Sequence, residues 1–403
     1  MPAGIGQHLG RRPAGSCPLQ GRSVGAVRAL IALCLVGVAC AGTPTAGDGN
    51  GDPVASVAQW PSALQRVVDE ALPTGWMARG DDLWQVFICD IPVATTVTLF
   101  DSSATRLTLD PVVVAHTLNR SVATYFSEIS HQLYRPSFVA GEHVQVQATD
   151  DQNACIDRAL ALSDSTARGV MIVADAEHAA DQPGGFANPG TGCTQPCAAA
   201  ASRRYAYVGA ADFNPSWGSR QPMDLVEHEI GHAIGWHHSG YVQGSSDPHR
   251  SSLDVMSNSA AAQQRIASRR DAPDTLAIHR LQVGWLEQSD VVVIGPRGGQ
   301  ARLWPSTAAR SAPGPVALIV PIDSDRFLTI ELLVATGYND HLPADGIAIH
   351  RVDIGAGVDA MTVTPVHSNE PFDRLLAVGG SMLIDHWRVV VDPDWVVRVE
   401  VAR

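Results

Sequence analysis

Two hydrophobic periodicities divide the chain, and the change from one to the other falls near residue 288. Ahead of it, short apolar runs alternate with segments of three- and four-residue spacing. "LWQVFICDIPV" (83–93) reads as a strand. In "DPVVVAHTLNRSVATYFSEIS" (110–130), Val113, Leu118, Val122, Tyr125 and Phe126 recur at helical intervals, which predicts one helix across that stretch. "HVQVQA" alternates as a strand does, "DQNACIDRALALS" reads as a helix, and "GVMIVADA" and "RRYAYVGA" as two more short strands. Together these elements predict a mixed sheet flanked by helices over 76–288. Beyond "LQVGWLEQSD" the helical spacing stops. "VVVIG", "VALIVPI", "FLTIELLVA", "GIAIHRV", "WRVVVD" and "WVVRVEV" are separated by Gly, Pro and Asp clusters, which predicts an all-β, sandwich-like module over 289–403. The fold class expected is therefore an α+β domain followed by a β sandwich, with no repeat of solenoid or propeller length.

The first 41 residues carry a different pattern. Arg11, Arg12, Arg22 and Arg28 precede an apolar run from Ala29 to Ala39, long enough for a signal peptide and too short to span a bilayer. Ala39-Cys40-Ala41 fits a small-x-small cleavage site, giving a soluble exported chain; Val38-Ala39-Cys40 fits a lipoprotein box, with Cys40 lipidated and the chain held at the cell surface. An uncleaved anchor is disfavoured by length. Residues 42–75, opening "GTPTAGDGNGDP", read as a linker or short propeptide.

Composition narrows the partners. Of 403 residues, 45% are apolar and 17% charged, which suits a globular chain, and the net charge of −13 with no lysine anywhere leaves no basic footprint for nucleic acid. Membrane contact is expected only through the N-terminal lipid. Past the signal and Cys40 stand Cys89, Cys155, Cys193 and Cys197, an even number that in an exported chain reads as two disulfides: Cys193 with Cys197, leaving Cys89 with Cys155. A zinc site is the rival reading of the close pair.

The chemistry concentrates in "LVEHEIGHAIGWHHSG" (225–240). Pro222 suits the first turn of a helix, along which Met223, Val226, Ile230, Ala233 and Ile234 trace an apolar stripe. His228 and His232, four apart, stack one turn apart on a single face, as two ligands of one metal ion must. Glu229 stands at the edge of that face, placed to act as a general base without ligating. Gly235 suits a left-handed turn that ends the helix and reverses the chain. His238 then supplies a third ligand, with His237 as the rival, and three protein ligands leave one coordination position open, the mark of a catalytic zinc.

This H-E-x-x-H-x-x-G-x-x-H pattern resembles the active site of the metzincin zinc peptidases. The resemblance runs from near Trp84 to "IHRLQVGWL", and "SSLDVMSNS" supplies Met256 in the place of that family's Met-turn. Ser239 follows the third histidine as in several subgroups, whereas Asn258 stands where some members carry a tyrosine. "FLTIELLVATGYNDHLPADGIAIHRVD" resembles, through Glu331, Gly337, Asp340, Pro343, Gly346 and Asp353, a segment that follows the catalytic domain in immune-inhibitor-A-like and gametolysin-like peptidases.

The resemblance implies a secreted or surface-anchored endopeptidase acting on proteins or peptides. It implies Zn2+ on His228, His232 and His238, and Glu229 activating the attacking water. Substrate is expected to lie along an edge strand above the helix. Two other classes compete. A decayed peptidase fold kept as a surface binding protein needs a lost catalytic residue, and none is lost. A structural or scavenging zinc protein needs a fourth ligand, for which His249 is the local candidate. The Asp-rich β loops suit Ca2+ chemically, but no EF-hand-like spacing supports calcium.

Overall fold

The computed structural model describes residues 60–71, 78–92, 106–176, 185–192, 199–214, 220–241, 247–355, 361–366 and 375–402. The signal-like segment, Cys40, Cys193 and Cys197 lie outside the described residues.

Strands β1 (Gly80–Asp90), β2 (Tyr134–Gln145), β3 (Gly169–Ala174), β4 (Gly185–Asn188) and β5 (Arg204–Val208) form a five-stranded sheet in the order β2-β1-β3-β5-β4. The first four strands of that order run parallel, and β4 closes one edge antiparallel to β5. Side chains of β1 alternate between two cores, Trp84, Val86 and Ile88 on one face and Phe87 and Cys89 on the other. Helices cover both faces, which is why β3 is apolar and buried throughout. On the second face Cys89 is disulfide-bonded to Cys155 of helix α4 (Gln152–Leu162), the pairing expected by elimination.

The predicted single helix over 110–130 is two helices, α2 (Pro111–Arg120) and α3 (Val122–Ile129). The apolar periodicity runs through both, but the Ser121 hydroxyl donates to the Thr117 carbonyl at 2.8 Å and breaks the helix locally. Likewise β2 begins at Tyr134 rather than His143. It accommodates Pro136 because it is an edge strand, where a missing N–H costs no ladder bond.

The expected linker over 42–75 contains a helix, α1 (Ser62–Ala71), whose Ala63, Leu64 and Val67 are fully buried. They join a cluster with Leu276, Ala277 and Leu281 and with Phe327 and Leu333 of the β module. Arg66 pairs with Asp325 at 2.5 Å. Residues 55–403 accordingly form one compact unit.

Beyond 288 there are two sheets. One contains β6 (Val291–Val293), β8 (Ala317–Pro321), β9 (Arg326–Leu333), β10 (Gly346–Asp353) and β11 (Thr362–Pro365), in the order β11-β10-β9-β8-β6. Its pairs are antiparallel except β6 with β8. The other contains β7 (Gly299–Arg302), β12 (Ser381–Ile384), β13 (Trp387–Asp392) and β14 (Val396–Val401), in the order β12-β13-β14-β7. Leu328, Ile330 and Leu332 of β9 share an apolar layer with Val389, Val391, Val397 and Val399 of the second sheet. The opposite face of β9, Phe327, Glu331 and Leu333, meets helix α7 (Ala277–Gln282), which follows the short α6 (Ala261–Arg265), and its surroundings. Burial on both faces explains why β9 reads as a nearly unbroken apolar run. Strands β4, β7, β11 and β12, four residues each, carry too little alternation to be seen in the sequence.

Candidate metal centre

Helix α5 (Asp224–Ala233) carries the first two histidines. Pro222 precedes the helix instead of opening it, and Met223 holds the cap position. Two contacts dock its start: Met223 N–H donates to the Arg270 carbonyl at 2.7 Å, and the buried Glu227 carboxyl accepts from Ala272 N–H at 2.7 Å. The stripe Met223, Val226, Ile230, Ala233 and Ile234 is buried as its spacing requires, which sets the rotation of the helix.

The helix ends where the sequence places its glycine. Gly235 has φ +95°, Trp236 N–H donates back to the Gly231 carbonyl at 2.9 Å, and the Gln282 side chain ties down the Gly235 carbonyl at 2.5 Å. The chain reverses there and delivers His238. The Nε2 atoms of His228 and His232 are 3.1 Å apart, those of His232 and His238 3.1 Å, and those of His228 and His238 3.3 Å. Ligands about 2.0–2.1 Å from a tetrahedral ion would be separated by roughly 3.3 Å.

The donor chemistry fits as well. His228 Nδ1 donates to the Val255 carbonyl at 2.7 Å and His232 Nδ1 to the Trp236 carbonyl at 2.9 Å. With the proton held on Nδ1, each ring turns a lone pair inward through Nε2. Converging lone pairs at this distance repel one another unless they share a cation. Burial pushes the imidazoles toward the neutral, ligating form: His228 well below its ordinary value, His232 down to about 4 and His238 to about 3, with the neighbouring imidazoles adding to the effect. The three side chains can therefore hold one metal ion.

Glu229 lies on the same helix, only 5% exposed. Gly185 of the edge strand β4 lies against it, and a Cβ at that position would overlap the Glu229 carboxyl group. Burial alone pushes this carboxyl up to about 8, a range in which a group both takes and gives protons near neutral pH.

Met256 is buried beneath α5, with its sulfur against Gly231. His237 stays out of the cluster. His249 does too: its ring lies 4.8 Å from that of His238 and 5.6 Å from that of His228, and its Nδ1 is bonded to the Ser257 carbonyl at 3.1 Å. The fourth-ligand candidate thus borders the cage without entering it. Sequence reasoning missed the Val255 and Trp236 carbonyls, which no residue type signals, and Gly185, which sits in a strand too short to be read. No protein-family model matches the chain and a search of curated proteins finds no match, so function is argued from this site.

Proposed function

We propose that the chain is a zinc-dependent endopeptidase of the metzincin kind, secreted or lipid-anchored outside the cell, that hydrolyses peptide bonds of proteins or peptides. The observation that carries this reading is the convergence of three Nε2 lone pairs beside a buried glutamate on the same helix. His228, His232 and His238 would hold Zn2+, which when bound supplies a Lewis acid and a water acidic enough to lose its proton near neutrality.

Glu229 would take a proton from the attacking water as its oxygen bonds to the peptide carbonyl carbon. It then returns the proton to the amine nitrogen as the C–N bond breaks, so the carboxyl ends as it began. The packing of Gly185 against the carboxyl keeps bulk water from competing for the proton. Strand β4, last in the sheet, offers its outer edge to an extended substrate, main-chain bonds giving affinity and side-chain pockets selectivity.

The test is cleavage of casein and a peptide library by the full chain, with and without chelator, beside Glu229→Ala. The expected result is chelator-sensitive cleavage, lost by about 10²–10⁴-fold in the variant while metal is retained. Undiminished cleavage by Glu229→Ala would overturn the assignment. Absence of cleavage by the unaltered chain would favour a binding protein on the same scaffold.

A further inference from the structure

Beneath the histidine cage lies a buried carboxyl–imidazole pair that the proposed hydrolysis does not use. Asp254 and His279 are both fully inaccessible, with His279 Nδ1 3.1 Å from an Asp254 carboxylate oxygen. Burial by itself would raise the Asp254 carboxyl. The His279 imidazole, the Ser239 hydroxyl and the Met256 amide together outweigh it, and the carboxyl is held below its ordinary value. Burying a carboxyl group against an imidazole is a costly way to gain stability, since apolar residues of like volume often do as well or better. Retention of the pair calls for another reason, and its surroundings supply one.

Each contact of the pair leads to a different histidine of the cage. Asp254 immediately precedes Val255, whose carbonyl takes the His228 Nδ1 proton and whose N–H donates to the Asp274 carbonyl at 3.2 Å. The His279 ring is stacked on Trp236, centroids 5.5 Å apart and planes 26° from parallel, and its carbonyl accepts from Trp236 Nε1 at 3.0 Å. The Trp236 carbonyl in turn takes the His232 Nδ1 proton. Ser239 follows His238, and its N–H donates to the Met256 carbonyl at 3.1 Å while its hydroxyl faces Asp254. The pair therefore borders the backing of all three rings: Asp254 by its chain neighbour Val255 and by Ser239, His279 by Trp236.

We infer that Asp254, acting through its pair with His279, is a positioning residue of the metal centre. It keeps the Val255 and Trp236 carbonyls and the Ser239 backbone in one arrangement, so that the three Nε2 atoms stay 3.1–3.3 Å apart. The inference rests on the reading of the cage as a metal site.

The experiment compares Asp254→Asn, His279→Gln and Ser239→Ala with the unaltered full chain. The readouts are Co2+ and Zn2+ affinity by competition with a chromophoric chelator, the visible spectrum of the Co2+-loaded chain, and the melting temperature without metal. Asp175→Asn serves as the control, because Asp175 is another buried carboxylate but is bonded to Ile91 N–H and Arg106. Asp254→Asn and His279→Gln are expected to weaken metal binding by about 10–100-fold and to alter the Co2+ spectrum. Asp175→Asn is expected to lower the melting temperature while leaving affinity and spectrum unchanged. Should Asp254→Asn not fold, His279→Gln and the smaller change Ser239→Ala carry the measurement. Unchanged affinity and spectrum in the folded variants would overturn the positioning role while leaving the metal site standing. An unaltered chain that takes up neither ion would overturn both.

Discussion

Gly231 lies on the helical turn between His228 and His232, where a Cβ would strike the Met256 sulfur and the Trp236 ring. Gly231→Ala is expected to cost about 1–3 kcal/mol through overpacking, seen as a lower melting temperature; an unchanged value would mean that Met256 repacks freely. Gly185 makes the same argument for chemistry rather than stability. Its missing side chain leaves room for the Glu229 carboxyl, so under the proposed hydrolysis Gly185→Ala is expected to lower turnover by up to about 10²-fold while metal content holds, because a displaced carboxyl loses its alignment. Steady-state kinetics beside metal analysis checks this, and unaltered kcat would refute it. At this scale the three histidines and Glu229 were legible, since four-residue spacing and a glycine stop are local rules. The two carbonyls that orient the rings were not, because every residue carries a carbonyl and only the fold selects which one faces an imidazole.

Among the elements, α5 and its turn followed local rules most closely: apolar stripe, left-handed Gly235 and returning chain all appear where their spacing puts them. Helix α1 escaped notice because its buried side chains, Ala63, Leu64 and Val67, are few and follow a Gly- and Asp-rich stretch. The break at Ser121 escaped because hydrophobic spacing is blind to a hydroxyl bonded one turn back. The Cys89–Cys155 bridge joins β1 to α4 across 66 residues of sequence. Removing it in a Cys89→Ala/Cys155→Ala chain is expected to cost about 4 kcal/mol by the loop-entropy relation, read as a lower urea midpoint. Equal midpoints for the two chains would show the bridge to be dispensable.

For the molecule as a whole, the apolar joint between the two halves also encloses polar contacts. Glu331 of β9 reaches α7, accepting from Ala277 N–H at 2.9 Å, and Arg280 on that helix is ion-paired with Asp274 at 2.5 Å. Burial pushes the Glu331 carboxyl from 4.5 up to about 7, against the pull of the Ala277 amide. The folded state then holds this proton more tightly than the unfolded state. Its contribution to stability is complete below about pH 4.5 and is lost as pH rises through about 7. The stability of the unaltered chain relative to Glu331→Gln should therefore fall between pH 5 and pH 8, by on the order of 3 kcal/mol. A difference independent of pH in paired denaturant titrations would sink the claim.

Spacing along the chain sufficed for the gathering of the three histidines, the glutamate beside them, the reversal at Gly235 and the change from mixed to all-β structure, because each depends on neighbours within a few residues or on a period of two or three to four. It did not suffice for the cover of Gly185 over Glu229, the backing of the cage by Val255, Trp236 and the Asp254–His279 pair, or the docking of α1 on the β module. Apart from the Trp236 carbonyl, which backs His232 four residues away, those contacts join segments tens to hundreds of residues apart, and their energies come from burial and hydrogen bonding that exist only once the chain has closed around them.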